Sequence, residues 1–287
     1  MPTTPAPPEP PIEMPPARTL RVPGRGELFL RDTGGDGPVV MLLHGWLATA
    51  DLNWWSAYGA LTDAGYRVLA IDHRGHGRGL RPLAPFRFAE CAADAAAALR
   101  QLDLAPATIV GYSMGGAIAQ LVARDHPDVT GAVVLSGTAQ HWQEPESRRV
   151  WRAMGAFGFT LSVAPRLAYR SGFRRIGLRD PRRTAWLLSE LERHSAHDVA
   201  EAGRELGRFD SRPWLQSVKV PAAVVVTSRD SAVSPRKQRE LAAALNASVF
   251  ESAIDHLEVS MPGTDFNGAL LQAIEAVRMG DRAAAVR

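Results

Sequence analysis

Thr108-Ile109-Val110-Gly111-Tyr112-Ser113-Met114-Gly115-Gly116-Ala117-Ile118-Ala119 is the stretch that decides the fold. An apolar run ends at Gly111, and a helical pattern runs from Met114 to Asp125, stopping before Pro127. Between them Gly111-Tyr112-Ser113-Met114-Gly115 matches G-x-S-x-G. A strand that turns directly into a helix forces the residue at the turn into a strained backbone conformation. Small residues at 111 and 115 then let neighbouring backbone pass closely. Ser113 is therefore expected with its hydroxyl held out at the top of a sheet, beside a helix N-terminus that favours developing negative charge. The pentapeptide alone reads equally well as a surface turn; its strand–turn–helix setting decides between the two.

Outward from this point the same alternation recurs. Val39–Leu43 ends at His44-Gly45, Arg67–Asp72 at His73-Arg74-Gly75, Ala132–Leu135 at Ser136-Gly137, and Ala222–Val226 at Thr227-Ser228. Short apolar runs of this kind, stopped by glycine or polar residues, are strands buried on both faces. Arg18–Val22 and Glu27–Asp32 read as two more strands around Pro23-Gly24-Arg25-Gly26. Helical patterns fill the intervals at Trp54–Ala64, Phe88–Leu102, Lys237–Leu245 and Phe266–Met279. The fold class is α/β, a mostly parallel doubly wound sheet, and ligands of such sheets sit beyond the carboxyl ends of the strands.

One interval breaks the pattern. From 139 to 212 no strand is legible, whereas Val150, Met154, Phe157 and Leu161 recur at helical spacing. Asp180-Pro181 reads as an N-cap and first helical residue, and His197–Phe209 as a further helix. The expected organisation is a core of 18–138 and 213–287 with a helical cap at 139–212. The proline-rich 1–17 cannot bury a core and is expected to be a disordered tail.

A serine needs a base, and the base an orienting acid, in the chain order Ser, acid, His. Of the eight histidines, 44, 73, 76 and 126 fit strand ends or a helix terminus, and 141, 194 and 197 lie in the insertion. His256, in Asp255-His256-Leu257, alone follows both the serine and a later acid. Asp230, after the strand Ala222–Val226, is placed to accept the Nδ1 proton of His256. Its competing reading is a turn aspartate bonded to local backbone. Asp255 adjoins His256 and cannot easily face its ring, and Asp210 is a weaker rival. The backbone N–H groups of Trp46, after His44-Gly45, and of Met114 are the expected oxyanion hole.

Taken together, Leu43-His44-Gly45-Trp46, Asp72-His73-Arg74-Gly75-His76-Gly77, Gly111–Gly115, Asp230 with Val233 and Pro235, and Asp255-His256 resemble the α/β-hydrolase fold family. The resemblance runs from about residue 20 to 280. It implies a Ser113-Asp230-His256 triad, and it makes 72–77 a structural turn whose histidines are not catalytic. A serine at 113 separates the chain from the aspartate-nucleophile members. Ser228-Arg229-Asp230 departs from the Gly or Glu that many members carry before the acid. The implied reaction is acyl transfer on a carboxylic ester, carboxylesterase- or lipase-like. Carbon–carbon bond hydrolysis and acyl transfer to another acceptor use the same triad, and a non-catalytic receptor would keep only the pocket.

Composition bounds the partners. A net charge of +3 is too small to indicate nucleic acid, and no run of about 18 apolar residues suggests a membrane span. The single Cys91 excludes an internal disulfide and fits a reducing cytoplasm, the expected location. The spacing of His and Cys offers no metal cluster, and no dinucleotide fingerprint occurs, so no cofactor is expected. Residues 141–212 hold 14 arginines, no lysine and 9 acids, so the basic character belongs to the insertion. That excess admits a weak contact with a membrane surface. Trp142, Trp151, Phe157, Phe159, Tyr169, Phe173 and Trp186 supply large apolar groups there. Trp151 and Phe157, with Tyr112 from the core, are the candidate contacts for a small apolar substrate.

Overall fold

A computed structural model describes residues 8, 10–167, 169, 181–261 and 263–285. Its strands are β1 (Ala17–Val22), β2 (Gly26–Asp32), β3 (Val39–Leu43), β4 (Arg67–Ile71), β5 (Ala107–Tyr112), β6 (Thr130–Ser136), β7 (Ala222–Thr227) and β8 (Ser248–Ser252). They form one sheet in the order β1-β2-β4-β3-β5-β6-β7-β8. β1–β2 and β2–β4 are antiparallel, and every later pairing is parallel. β8 was not legible as a strand: it is an edge strand, so Val249 stays half exposed and the apolar run that marks the central strands is missing.

Successive side chains of a strand face opposite ways, and the core divides accordingly. Met41, Leu43 and Ile109 join Cys91, Leu99, Ile118 and Val122 under the helices Phe88–Gln101 and Met114–Asp125. Val40, Leu42 and Val110 face Trp54, Leu61, Leu270 and Ile274 on the other side, under Ala50–Trp54, Tyr58–Asp63 and Phe266–Ala285. The helix expected at Trp54–Ala64 is thus two short ones. Thr49 caps the first by accepting from Leu52 N at 3.0 Å, and Asp72 Oδ1 accepts from Ala50 N at 2.7 Å, which starts the helix earlier than the apolar pattern does.

Between β6 and β7 the described elements are helical: Pro145–Arg152, Met154–Val163, Pro181–Leu191 and Ala196–Arg208. The single face expected for Val150, Met154, Phe157 and Leu161 is interrupted at Ala153, which ends one helix and starts the next. Met154 and Leu161 are buried, whereas Val150 is half exposed. Glycines let the helices close: a Cβ on Gly203 would stand 2.4 Å from Met154 Sδ, and one on Gly158 2.9 Å from Ala200 Cβ. Ser211 N donates to Gln140 O at 2.9 Å, joining the two ends of the insertion. Ser195 N reaches Gly75 O at 2.9 Å, Gly77 N reaches His194 Nδ1 at 2.9 Å, and Arg78 pairs with Glu190 at 2.7 Å, which ties it to the turn after β4. Asp180 and Phe173 lie outside the described residues.

The first seven residues and Glu9 also lie outside the described residues. The remainder of the expected tail does not hang free. Ile12 and Met14 pack against buried clusters, and Asp32 N donates to Pro16 O at 3.2 Å, because the antiparallel β1–β2 pairing begins at Ala17 and carries the preceding residues onto the body. No described helix is long and apolar enough to cross a membrane.

Candidate active site

Ser113 sits between β5 and the helix Met114–Asp125 at φ 53°, ψ −117°. A non-glycine residue in that region stores roughly 1–3 kcal/mol of strain and persists only where its surroundings fix it. Here Ser113 N donates to Ser136 O at 2.9 Å and Thr138 Oγ1 donates to Ser113 O at 2.8 Å. The glycines of the motif are required by close approach. A Cβ on Gly111 would stand 2.3 Å from Gly115 O, and one on Gly115 2.1 Å from Leu43 O.

His256 opens a short 3₁₀ turn, His256–Ser260, after β8. Its Nε2 lies 3.0 Å from Ser113 Oγ and its Nδ1 2.8 Å from Asp230 Oδ2. A carboxylate only accepts, so the proton sits on Nδ1 and Nε2 is left to accept from the serine hydroxyl. Asp230 is buried at the end of β7 and is held from several sides. Its Oδ1 accepts from Ala232 N at 2.9 Å and Val233 N at 2.7 Å, and its Oδ2 from Thr227 Oγ1 at 2.7 Å. The two readings of Asp230, turn residue and partner of histidine, are therefore both true. Asp255 bonds Ser231 N at 3.0 Å and caps the turn that carries His256, so it joins the two loops without facing the ring. Asp210 is engaged by Arg212 at 2.6 Å at the root of the insertion. Such a relay can draw a proton from the serine hydroxyl and return it to a leaving group.

His44-Gly45-Trp46 lies against the serine: a Cβ on Gly45 would stand 3.3 Å from Ser113 Cβ and 3.4 Å from Asn53 Oδ1. Gly45 N donates to Asn53 Oδ1 at 2.9 Å. The N–H groups of Trp46 and Met114 have no hydrogen-bond partner among the described residues. Tyr112 is buried beneath this arrangement. Its hydroxyl donates to His256 O at 2.6 Å and so holds the histidine loop in place, while the residue also lines the cavity over Ser113.

A cavity of about 500 Å³ opens over Ser113 and His256. Five of the chain's seven tryptophans line it: Trp46, Trp55, Trp142, Trp151 and Trp186. Among the described residues its lining carries no Asp, Glu, Lys or Arg. Trp151 reaches it from the insertion, with Nε1 donating to Trp142 O at 3.0 Å. Phe157 is not part of that lining: it packs on the Trp46 indole, ring centroids 5.7 Å apart, and Trp46 itself lines the cavity. Helical spacing gives a side chain's face and not what lies in front of it. Trp46 Nε1 in turn donates to Val199 O at 2.8 Å.

Sequence reasoning missed a cluster of buried histidines. His44, His73, His76 and His194 pack ring against ring in tilted and T-shaped contacts, with ring centroids 4.4 Å apart for the first two and 5.2 Å for the last two. Burial holds all four in the neutral form. His73 is pushed down to about 3 and His76 to about 4, and His44 and His194 fall well below the ordinary histidine value. His44 Nδ1 lies 2.8 Å from Gly45 O and His44 Nε2 accepts from His73 N at 3.0 Å, so the ring braces the loop before Trp46. Asn53, which fixes Gly45, carried no signal in the sequence. No group of three or more described His, Cys, Asp or Glu side chains is placed to hold a metal.

Residues 38–168 match the model of the α/β-hydrolase fold. The enol-lactonase from Burkholderia xenovorans LB400 superposes with a TM-score of 0.78 over 90% of this chain and all of its own, at 25% identity. The chain has the α/β-hydrolase fold. Among its curated relatives, 3-oxoadipate enol-lactonase 2 of Acinetobacter baylyi is 29% identical over 187 residues, covering 63% of this chain and 67% of the relative. The non-heme chloroperoxidase of Streptomyces lividans is 40% identical over 110 residues, 38% of this chain and 40% of the relative.

Proposed function

We propose that this α/β-hydrolase is a serine hydrolase that cleaves carboxylic esters of small, uncharged, apolar substrates through an acyl-enzyme. The observation that carries the reading is His256 bridging Ser113 Oγ at 3.0 Å and Asp230 at 2.8 Å on the floor of a tryptophan-lined cavity. His256 Nε2 takes the Ser113 proton as Oγ attacks the carbonyl carbon. The oxyanion is held by the N–H groups of Trp46 and Met114, whose lack of an internal partner supports that role. The C–O bond to the leaving group breaks as His256 returns the proton to it. Water, deprotonated in turn by His256, releases the acid.

The 139–212 segment acts as a cap that selects the acyl group, with Trp151 and Trp186 supplying part of the cavity wall. A buried carboxylate without a cationic partner is costly, so the absence of charge among the described lining residues favours neutral esters and lactones over dicarboxylate substrates. Carbon–carbon bond hydrolysis of a neutral diketone, and transfer to an alcohol, remain chemically open to the same residues. A panel of nitrophenyl esters from acetate to decanoate, run on the parent chain and on Ser113→Ala, tests the reading. Turnover that rises with chain length and vanishes in the variant is expected; turnover surviving in the folded variant overturns it.

A further inference from the structure

The helix Met154–Val163 is apolar on every side, yet only one side is packed. Met154, Gly158 and Leu161 face the helix Ala196–Arg208, while Phe159 and Val163, one turn apart, are 71% and 69% exposed. The preceding helix, Pro145–Arg152, turns Trp151 inward and leaves Arg148, Arg149 and Arg152 exposed. None of these three guanidinium groups is paired with a described side chain. Other arginines of the same interval are neutralised: Arg166 by Glu192, Arg204 by Glu201 and Arg212 by Asp210. The rim of the cavity adjoins this surface, since Val150 of the arginine-bearing helix both lines the cavity and is half exposed.

We propose that this face of the molecule, Arg148, Arg149 and Arg152 with Phe159 and Val163, docks on an anionic lipid surface. Unpaired guanidinium groups bind phosphate oxygens in a bidentate manner, and their stems lie along apolar surface while the heads stay in water. Aromatic and aliphatic side chains beside them enter the headgroup–acyl boundary. A protein partner is less well matched. A specific interface buries on the order of 1,000 Å² or more around a continuous apolar centre, and here two large apolar side chains stand beside arginines that no described side chain neutralises. The docking goes beyond the hydrolytic reading and does not depend on it.

The test is co-sedimentation of the full chain with vesicles of phosphatidylcholine alone or mixed with phosphatidylglycerol. Binding to the mixed vesicles only, weakening as salt is raised, is expected. Each basic residue near an anionic surface contributes a factor of roughly five in partition, so the triple variant Arg148→Gln, Arg149→Gln, Arg152→Gln should bind ~100-fold more weakly. Phe159→Ser with Val163→Ser should bind roughly tenfold more weakly. Thermal melts show that the variants are folded whether or not the chain hydrolyses esters. Equal binding to both vesicle types, or parent-like binding by the triple variant, overturns the proposal. So does a parent dimer that Phe159→Ser with Val163→Ser splits while neither form touches vesicles, which would assign the face to a second copy.

Discussion

Mild acid should destabilise this protein before its surface carboxylates are titrated. The perturbation is a drop from pH 7.5 to pH 5, and the groups that respond are the buried histidines. Burial holds His73 near 3 and His76 near 4, against about 6.5 in an unfolded chain. Below pH 6.5 the unfolded state takes up protons that the folded state refuses. The stability these groups permit is therefore complete above 6.5 and is lost as pH falls toward their folded values. At pH 5 each of the two has lost about 2 kcal/mol, so the pair has lost about 4 kcal/mol. His44 and His194 act in the same direction. Asp72 opposes them: burial raises it to about 6, and its protonation on acidification restores about 1 kcal/mol. The net loss of about 3 kcal/mol is a large share of a typical total of roughly 5–15 kcal/mol. With a urea dependence near 3 kcal/mol per molar, the unfolding midpoint should fall by about 1 M. Urea titrations followed by tryptophan fluorescence at pH 7.5, 6.5, 5.5 and 5.0 measure this directly. A midpoint that stays constant, or rises, down to pH 5 would refute the claim that the four rings are buried and neutral.

Asp230→Asn should leave the melting temperature within a few degrees but lower kcat about 10⁴-fold, because an amide cannot hold His256 in the tautomer that accepts from Ser113; if Asp210→Asn is the damaging change, the acid is misassigned. Trp151→Ala should slow long acyl esters more than acetate, by about tenfold for a two-carbon extension, while Phe157→Ala should slow both equally through the support of Trp46; equal losses in the Trp151 variant would remove that side chain from the pocket. Gly115→Ala, whose Cβ would stand 2.1 Å from Leu43 O, should cost about 3 kcal/mol or prevent folding. Gly59→Ala, with nothing within 4 Å, should stabilise its helix by roughly 0.5–1 kcal/mol, and urea midpoints compare the two.

The sheet was readable because its central strands are buried on both faces, which leaves continuous runs such as Val39–Leu43 and Ala222–Val226. β8 has one open edge and a mixed composition, and it escaped. Ser113 and His256 were readable for different reasons. The serine stands in a local motif with steric demands, whereas the histidine emerged by elimination along the chain. What lay beyond reach was three-dimensional adjacency. Nothing in the spacing of Tyr112 and His256 announces a hydroxyl-to-carbonyl bond across 144 residues. His44, His73, His76 and His194 read as three strand-end residues and one residue of the insertion, and only folding makes them neighbours. Phe157 makes the same point: its contact with the Trp46 indole joins residues 111 positions apart.

Labelling with a fluorophosphonate, followed by mass spectrometry of the adduct, tests whether Ser113 is the activated nucleophile. An activated serine attacks the phosphorus and displaces fluoride, leaving a stable phosphonyl ester on the side chain that the base has activated. One adduct, on Ser113, is expected, formed by the parent chain and suppressed at least a hundredfold in His256→Ala. An adduct on another residue, or undiminished labelling of Ser113 when His256 is replaced, would contradict that assignment.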